Sequence, residues 1–126
     1  MRSLTSRARH NILMPMSDMP KTGMPSGALP MLILRVLHSG SLHGYAIAQR
    51  IHVLSCEVLA VDEGLLYPTL QKMLVKGWVV AEWGISETNR KVRFYRLTAQ
   101  GRKQLQAELS GYDRVTKAIQ EILRTA

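Results

Sequence analysis

The hydrophobic period of this chain changes twice along its length, and the order of the changes leaves few folds open. From Leu29 the apolar residues Leu29, Leu32, Ile33, Val36 and Leu37 recur at i, i+3, i+4, i+7 and i+8, one face of a helix. Ser39-Gly40-Ser41 breaks that pattern. A second helical pattern covers about residues 43–53, with Tyr45, Ile47, Ala48 and Ile51 apolar. Residues 54–62 read as a connection ending on Asp62, a good helix N-cap. A third helix is predicted over about residues 63–76, burying Leu66, Leu70, Met73 and Leu74, with Gly77 closing it in a left-handed conformation. Pro68 inside it removes one backbone hydrogen bond, which leaves a start later than Asp62 open.

The period then falls to two. Residues 78–83 and 92–97 are β-prone runs, and the polar stretch 84–91 between them reads as the long tip of an antiparallel hairpin. Thr98 is placed to cap a final helix that runs nearly to the end. Three short helices followed by a two-stranded wing give the order of a winged helix-turn-helix, mainly α with a small β-hairpin. The expected organisation is a basic, disordered tail over residues 1–26, a winged DNA-binding domain over 27–98 and a dimerisation helix over 99–126. The tail carries Arg2, Arg7, Arg9 and Lys21 against Asp18, with Met14, Met16 and Met19 as alternative starts; a basic arm reaching into a minor groove is its second reading.

Charge narrows the function. The net charge of +8 in 126 residues favours an anionic partner, nucleic acid or an acidic membrane surface. No apolar run approaches the roughly 18 residues of a spanning helix. The single cysteine, Cys56, excludes an internal disulfide framework, fits a reducing cytoplasm and reads as a small apolar filler. Arg90, Lys91, Arg93, Arg96, Arg102 and Lys103 fall in one span without an acidic residue. Such a span can be an ordinary solvated hairpin. Placed on a wing, Asn89, Arg90 and Lys91 suit a phosphate backbone, and Arg93 should leave the hairpin on the face opposite Val92 and Phe94. On the third helix Leu65, Thr69, Lys72 and Lys76 turn outward, with Tyr67 and Gln71 towards the flank. That mixed face can meet thymine methyls, base edges and phosphates.

In the last helix Leu105, Leu109, Tyr112, Thr116, Ile119 and Leu123 are spaced 4, 3, 4, 3, 4, a heptad seam. A long amphipathic helix at the end of so small a domain has little of its own core to cover. It is expected to pair with its copy in a second subunit, so that two wings read a near-palindromic site. Gly111 in mid-helix calls for a bend or the close approach of another backbone. Catalysis is not expected: His38 and His43 read as helix-end histidines rather than metal ligands, and neither a Gly-rich phosphate loop nor a nucleophile elbow is present. No cofactor is expected. A winged module that binds protein and not DNA is the alternative, and salt-independent binding would favour it.

Leu32-Ile33-Leu34, His43-Gly44-Tyr45, Gly64 with Leu66-Tyr67-Pro68, and Gly77-Trp78 resemble the PadR family of bacterial repressors. So do Glu82-Trp83-Gly84 with Ser86-Glu87, Asn89-Arg90, Tyr95-Arg96-Leu97-Thr98 and Gly101-Arg102. The resemblance spans about residues 27–124 and is similar to the short subgroup with one C-terminal helix. It implies a homodimeric, cytoplasmic repressor whose last helix exchanges contacts across the dimer. Tyr45 and Tyr67 would lie near the DNA backbone, and Asn89, Arg90 and Lys91 at the wing tip. The family's founder is released by phenolic acids, and other members sense planar drugs between the paired helices. Two positions depart from the pattern. Leu65 replaces a serine that contacts phosphate, and Tyr112 stands where a tryptophan is common, leaving its ring as the candidate effector contact or as a plain seam residue.

Overall fold

A computed structural model describes Met24 and residues 27–125. The elements are α1 (Ala28–Leu37), β1 (Leu42–His43), α2 (Gly44–Leu54), α3 (Glu63–Val75), β2 (Val79–Ile85), β3 (Lys91–Leu97) and α4 (Ala99–Thr125). The expected basic tail falls outside the described residues except for Met24, which packs against the core.

The helix α1 is buried on more than the single face its period suggests. Leu29, Ile33, Val36 and Leu37 are buried, and so are Ala28, Met31 and Leu34, because α2, α3, α4 and β3 all pack around it. His38 ends this helix, and His43 begins α2, its Nδ1 accepting from the Ala46 amide at 3.4 Å. Both histidines therefore sit at helix ends. Ile47, Ala48 and Ile51 of α2 join Leu66, Leu70 and Met73 of α3 in the same core, with Leu74 half-buried against it.

The connection after α2 is held by its own hydrogen bonds. His52 is fully buried, and its Nδ1 lies 2.7 Å from the Leu59 carbonyl. Ser55 Oγ donates to the His52 carbonyl and accepts from the Leu59 amide. Cys56 is exposed in this turn with φ of 55°, so it is a bend residue and not the apolar filler expected. Glu57 follows it at φ 68°.

Asp62 caps α3, its Oδ1 accepting from the Gly64 amide at 2.9 Å, and the helix begins at Glu63 with Pro68 inside it. At the other end Gly77 takes φ of 77°, while the Trp78 amide donates to Met73 O and the Gly77 amide to Leu74 O. These two bonds satisfy the final carbonyls of the helix in a Schellman closure.

The sheet has three strands in the order β1-β3-β2, all antiparallel, where the sequence suggested two. The added strand is only Leu42↔Tyr95 and His43↔Phe94, too short to leave a period in the sequence. The hairpin register runs from Val79↔Leu97 to Ile85↔Lys91, so the expected long tip, residues 84–91, shrinks to residues 86–90. Thr98 then joins two helices. Its Oγ1 accepts from the Gly101 amide at 3.0 Å, capping α4, and donates towards Gly77 O at 2.6 Å and Trp78 O at 3.1 Å.

Candidate nucleic-acid interface

The outward face of α3 follows from its core face. Burying Leu66, Leu70 and Met73 at helical spacing turns Leu65, Tyr67, Gln71 and Lys72 out to solvent and leaves Thr69 half-buried. Leu65 is 61% exposed, an unusual position for a leucine one turn from a helix start. Apolar exposure beside hydroxyl, amide and ammonium groups is complementary to the methyls, base edges and phosphates of a major groove.

The wing tip is a three-residue loop, Glu87-Thr88-Asn89. The Asn89 amide donates to Ser86 O at 2.9 Å, and the Ser86 amide to Arg90 O at 2.8 Å. Asn89 takes the left-handed conformation, φ 63°, which asparagine tolerates better than most residues. Ser86 is the buried knot of this turn: its Oγ accepts from the Arg90 amide and lies 3.0 Å from Thr88 Oγ1. Arg90 and Lys91 follow the knot and are exposed. Arg93 lies directly across from Trp83 and is half-buried, its guanidinium 5.8 Å from the Trp83 ring and 5.9 Å from Tyr95. It therefore occupies the face opposite Val92 and Phe94, as alternation requires.

Between α2, α3 and the wing lies an open cleft of about 1080 Å³. Tyr45, Tyr67, Gln71, Arg90 and Arg93 all line it. Leu65, Thr69, Lys72, Asn89 and Lys91 do not; they lie outside it on α3 and the wing. Glu63 and Glu87 also reach the cleft, so its charge is mixed and not uniformly positive.

Two residues of the cleft, His43 and Trp83, were not among the expected binding residues. His43 caps α2, stands edge-on to Phe94 with ring centroids 5.5 Å apart, and places Nε2 3.8 Å from Glu87 Oε1. It thus ties the wing tip to the start of α2. Trp83 holds Lys91 Nζ 5.3 Å from its ring. The alternation of residues 78–83 could have identified Trp83 as a partner of Arg93, but only a fixed register pairs them.

Tyr67 fits against Gly44. A Cβ on Gly44 would stand 2.7 Å from Tyr67 Oη and 2.8 Å from Cε1, so a glycine is needed there for the ring to lie flat on α2. Burial, with Glu63 and then Tyr95 adding to it, pushes the phenol above its ordinary value of 10.0. Its hydroxyl stays protonated and can donate to a phosphate oxygen.

The other candidate surface is α4. Leu105 is 1% exposed and belongs to the chain's own core, a correction to its placement in the seam. The exposed stripe begins at Leu109 (38%) and continues through Tyr112, Val115, Ile119 and Ile122 to Leu123 (70%), with Thr116 half-buried. The helix continues through Gly111, whose absent Cβ would meet nothing within 4 Å, so no close approach among the described residues accounts for that glycine. A shallow groove of about 460 Å³ between α1 and α4 is lined by Ala28, Met31, Ala107, Gly111, Tyr112 and Val115. Among the described residues no helix is long and apolar enough to cross a membrane, and no three metal-ligating side chains converge.

Comparison with known proteins gives a consistent result. The family model described as "Transcriptional regulator PadR-like family" matches residues 33–107. A solved transcriptional regulator from Clostridium thermocellum is 25% identical, with 75% of this chain and 92% of that chain covered and a TM-score of 0.69. A PadR family transcriptional regulator from Eggerthella lenta is similar in fold at 22% identity, covering 79% and 85%, with a TM-score of 0.68. A PadR-like transcriptional regulator from Bacillus cereus is similar in fold at 23%, covering 77% and 92%, with a TM-score of 0.65. The search of curated proteins finds no match.

Proposed function

The chain belongs to the PadR-like family of transcriptional regulators, and from that premise we propose that it represses transcription as a homodimer bound to a near-palindromic operator. The observation that carries this reading is the convergence of Tyr45, Tyr67, Gln71, Arg90 and Arg93, from two helices and the wing, on one open cleft. In this reading α3 enters the major groove, with Leu65, Thr69, Gln71 and Lys72 towards the bases and phosphates. Tyr45 and the neutral Tyr67 hydroxyl donate to the backbone at its edge. On the wing Arg90, Lys91 and Arg93 neutralise phosphates of the adjoining strand, and the Asn89 side-chain amide donates a hydrogen bond to one.

The dimer forms through the stripe from Leu109 to Leu123, whose apolar side chains stay exposed among the described residues. Two winged units joined at fixed spacing would read two half-sites about one helical turn apart. Tyr112, which lines the groove beside α1, is the candidate contact for a planar effector that would release the DNA.

The test is footprinting of the full-length protein on the DNA upstream of its own gene. The expected result is protection of two half-sites, with an affinity that falls as salt rises from low to physiological levels. Affinity that stays flat with salt would instead favour a winged module that binds protein.

A further inference from the structure

The exposed face of the wing carries an arrangement that core packing does not require. Trp83 is 62% exposed, and its indole lies within 5.3 Å of the Lys91 ammonium and 5.8 Å of the Arg93 guanidinium. Strand alternation puts Lys91 and Arg93 on one face of β3, two residues apart, and the register sets Trp83 directly across from Arg93. Among the described residues neither cation forms an ion pair with a carboxylate. Two cations that share a ring, and lack an acidic partner among the described residues, are matched to an anion that comes from outside.

We propose that Trp83 is a positioning residue for DNA binding: its ring holds Lys91 and Arg93 on one face of the wing, ready for successive phosphates of one strand. The inference rests on the reading of the wing as a phosphate clamp. A free lysine or arginine loses much rotamer freedom when it docks on phosphate. A ring face attracts the cation's charge and leaves its N–H donors for the ligand, so part of that freedom is lost before the DNA arrives. Arg93 gains a second ring, Tyr95, at 5.9 Å, and its guanidinium is the more constrained of the two cations.

The test uses the full-length protein and its footprinted operator fragment. Trp83→Leu keeps apolar bulk and removes the π face, Trp83→Phe keeps a smaller π face, and both are also made in a Lys91→Ala, Arg93→Ala background. Trp83→Leu is expected to weaken binding about tenfold. The slope of log affinity against log salt should stay as in the wild type, because the same phosphates are still neutralised. Trp83→Phe should recover most of the affinity, and neither change should matter once both cations are gone. In the protein without DNA, the Lys91 Hε and Arg93 Hδ proton resonances should lie upfield through the ring current and return to ordinary values in Trp83→Leu. Unchanged affinity in Trp83→Leu, or the same loss with and without the cations, overturns the proposal while leaving DNA binding intact. A wild-type protein that binds no duplex overturns the clamp itself.

Discussion

The ring of Tyr67 occupies the place where any other residue at position 44 would carry its Cβ, with Oη 2.7 Å from that point. One glycine at the start of α2 thus decides how a tyrosine of α3 meets the cleft. Gly44→Ala should force the ring outward at a cost on the order of 1 kcal/mol or less, because the atoms met are the far end of a half-exposed side chain that can turn aside. Helix propensity alone predicts a gain, so a loss that depends on Tyr67 identifies the contact. Tyr67→Ala in the same chain should remove most of the penalty. Urea unfolding of the single and double variants measures both.

Tyr67 also gives the protein an alkaline signature. Its folded phenol titrates above the unfolded value of 10.0 because burial, Glu63 and Tyr95 disfavour the phenolate. The neutral form is bound more tightly by the folded state, so this stabilisation is complete below pH 10.0 and is lost as pH rises through the higher folded value. Stability measured by urea from neutral to strongly alkaline pH should fall more steeply in the wild type than in Tyr67→Phe. Parallel curves would show that the phenol is not linked to folding.

One hydroxyl joins the end of α3 to the start of α4, beside the backbone bond from the Thr98 amide to Trp78 O. Thr98 Oγ1 caps Gly101 and reaches the carbonyls of Gly77 and Trp78. Thr98→Val keeps the shape and removes those bonds, for an expected loss of about 1–3 kcal/mol. Gly101→Ala should do more damage, since its Cβ would run into the Trp78 carbonyl and the Leu97 side chain. A backbone oxygen cannot turn aside as a side chain can, and the expected cost exceeds about 3 kcal/mol. Thermal and denaturant midpoints rank the two.

Removing the wing cations should act on every DNA sequence alike. Arg90→Ala with Lys91→Ala is expected to lower the salt slope by about 1.8, roughly 0.9 per phosphate contact. The preferred site should stay the same. Thr69→Ala, on α3, should change the preferred site and leave the slope alone. Binding titrations against a randomised operator library separate these outcomes.

Leu109→Asp with Ile119→Asp places two carboxylates on the exposed stripe of α4, where neither side chain belongs to the domain core. Folding should survive and sedimentation should report a monomer. A dimer that persists would move the interface elsewhere.

The helices and their caps were legible because burial imprints a period, and because Asp62, Gly77 and Thr98 signal ends through their own chemistry. Other features depend on pairing between distant residues. Leu42 and His43 become a strand only by lying beside Tyr95 and Phe94, and two residues carry no period. The hairpin tip looked long because Gly84 and Lys91 are poor β-formers, yet cross-strand bonding extends both strands to the Ser86 knot. Leu105 fits a heptad as well as it fits the core, and only the packing of α4 against α1 separates the two. The cleft was half visible. Its cations and tyrosines follow from faces and alternation, whereas His43, Trp83 and the fit of Tyr67 on Gly44 come from tertiary register.

The unbroken run of α4 from Ala99 to Thr125 makes it a lever. Its base is seated by Gly101 and Leu105 beside the root of the wing, and its arm beyond Leu105 extends about 30 Å at 1.5 Å per residue. A tilt of about 5° at the base would therefore sweep the far end by about 2–3 Å. A wedge against the arm near Tyr112 would act on the Thr98 joint through that arm, which makes the joint the place where a tilt of α4 would reach the root of the wing.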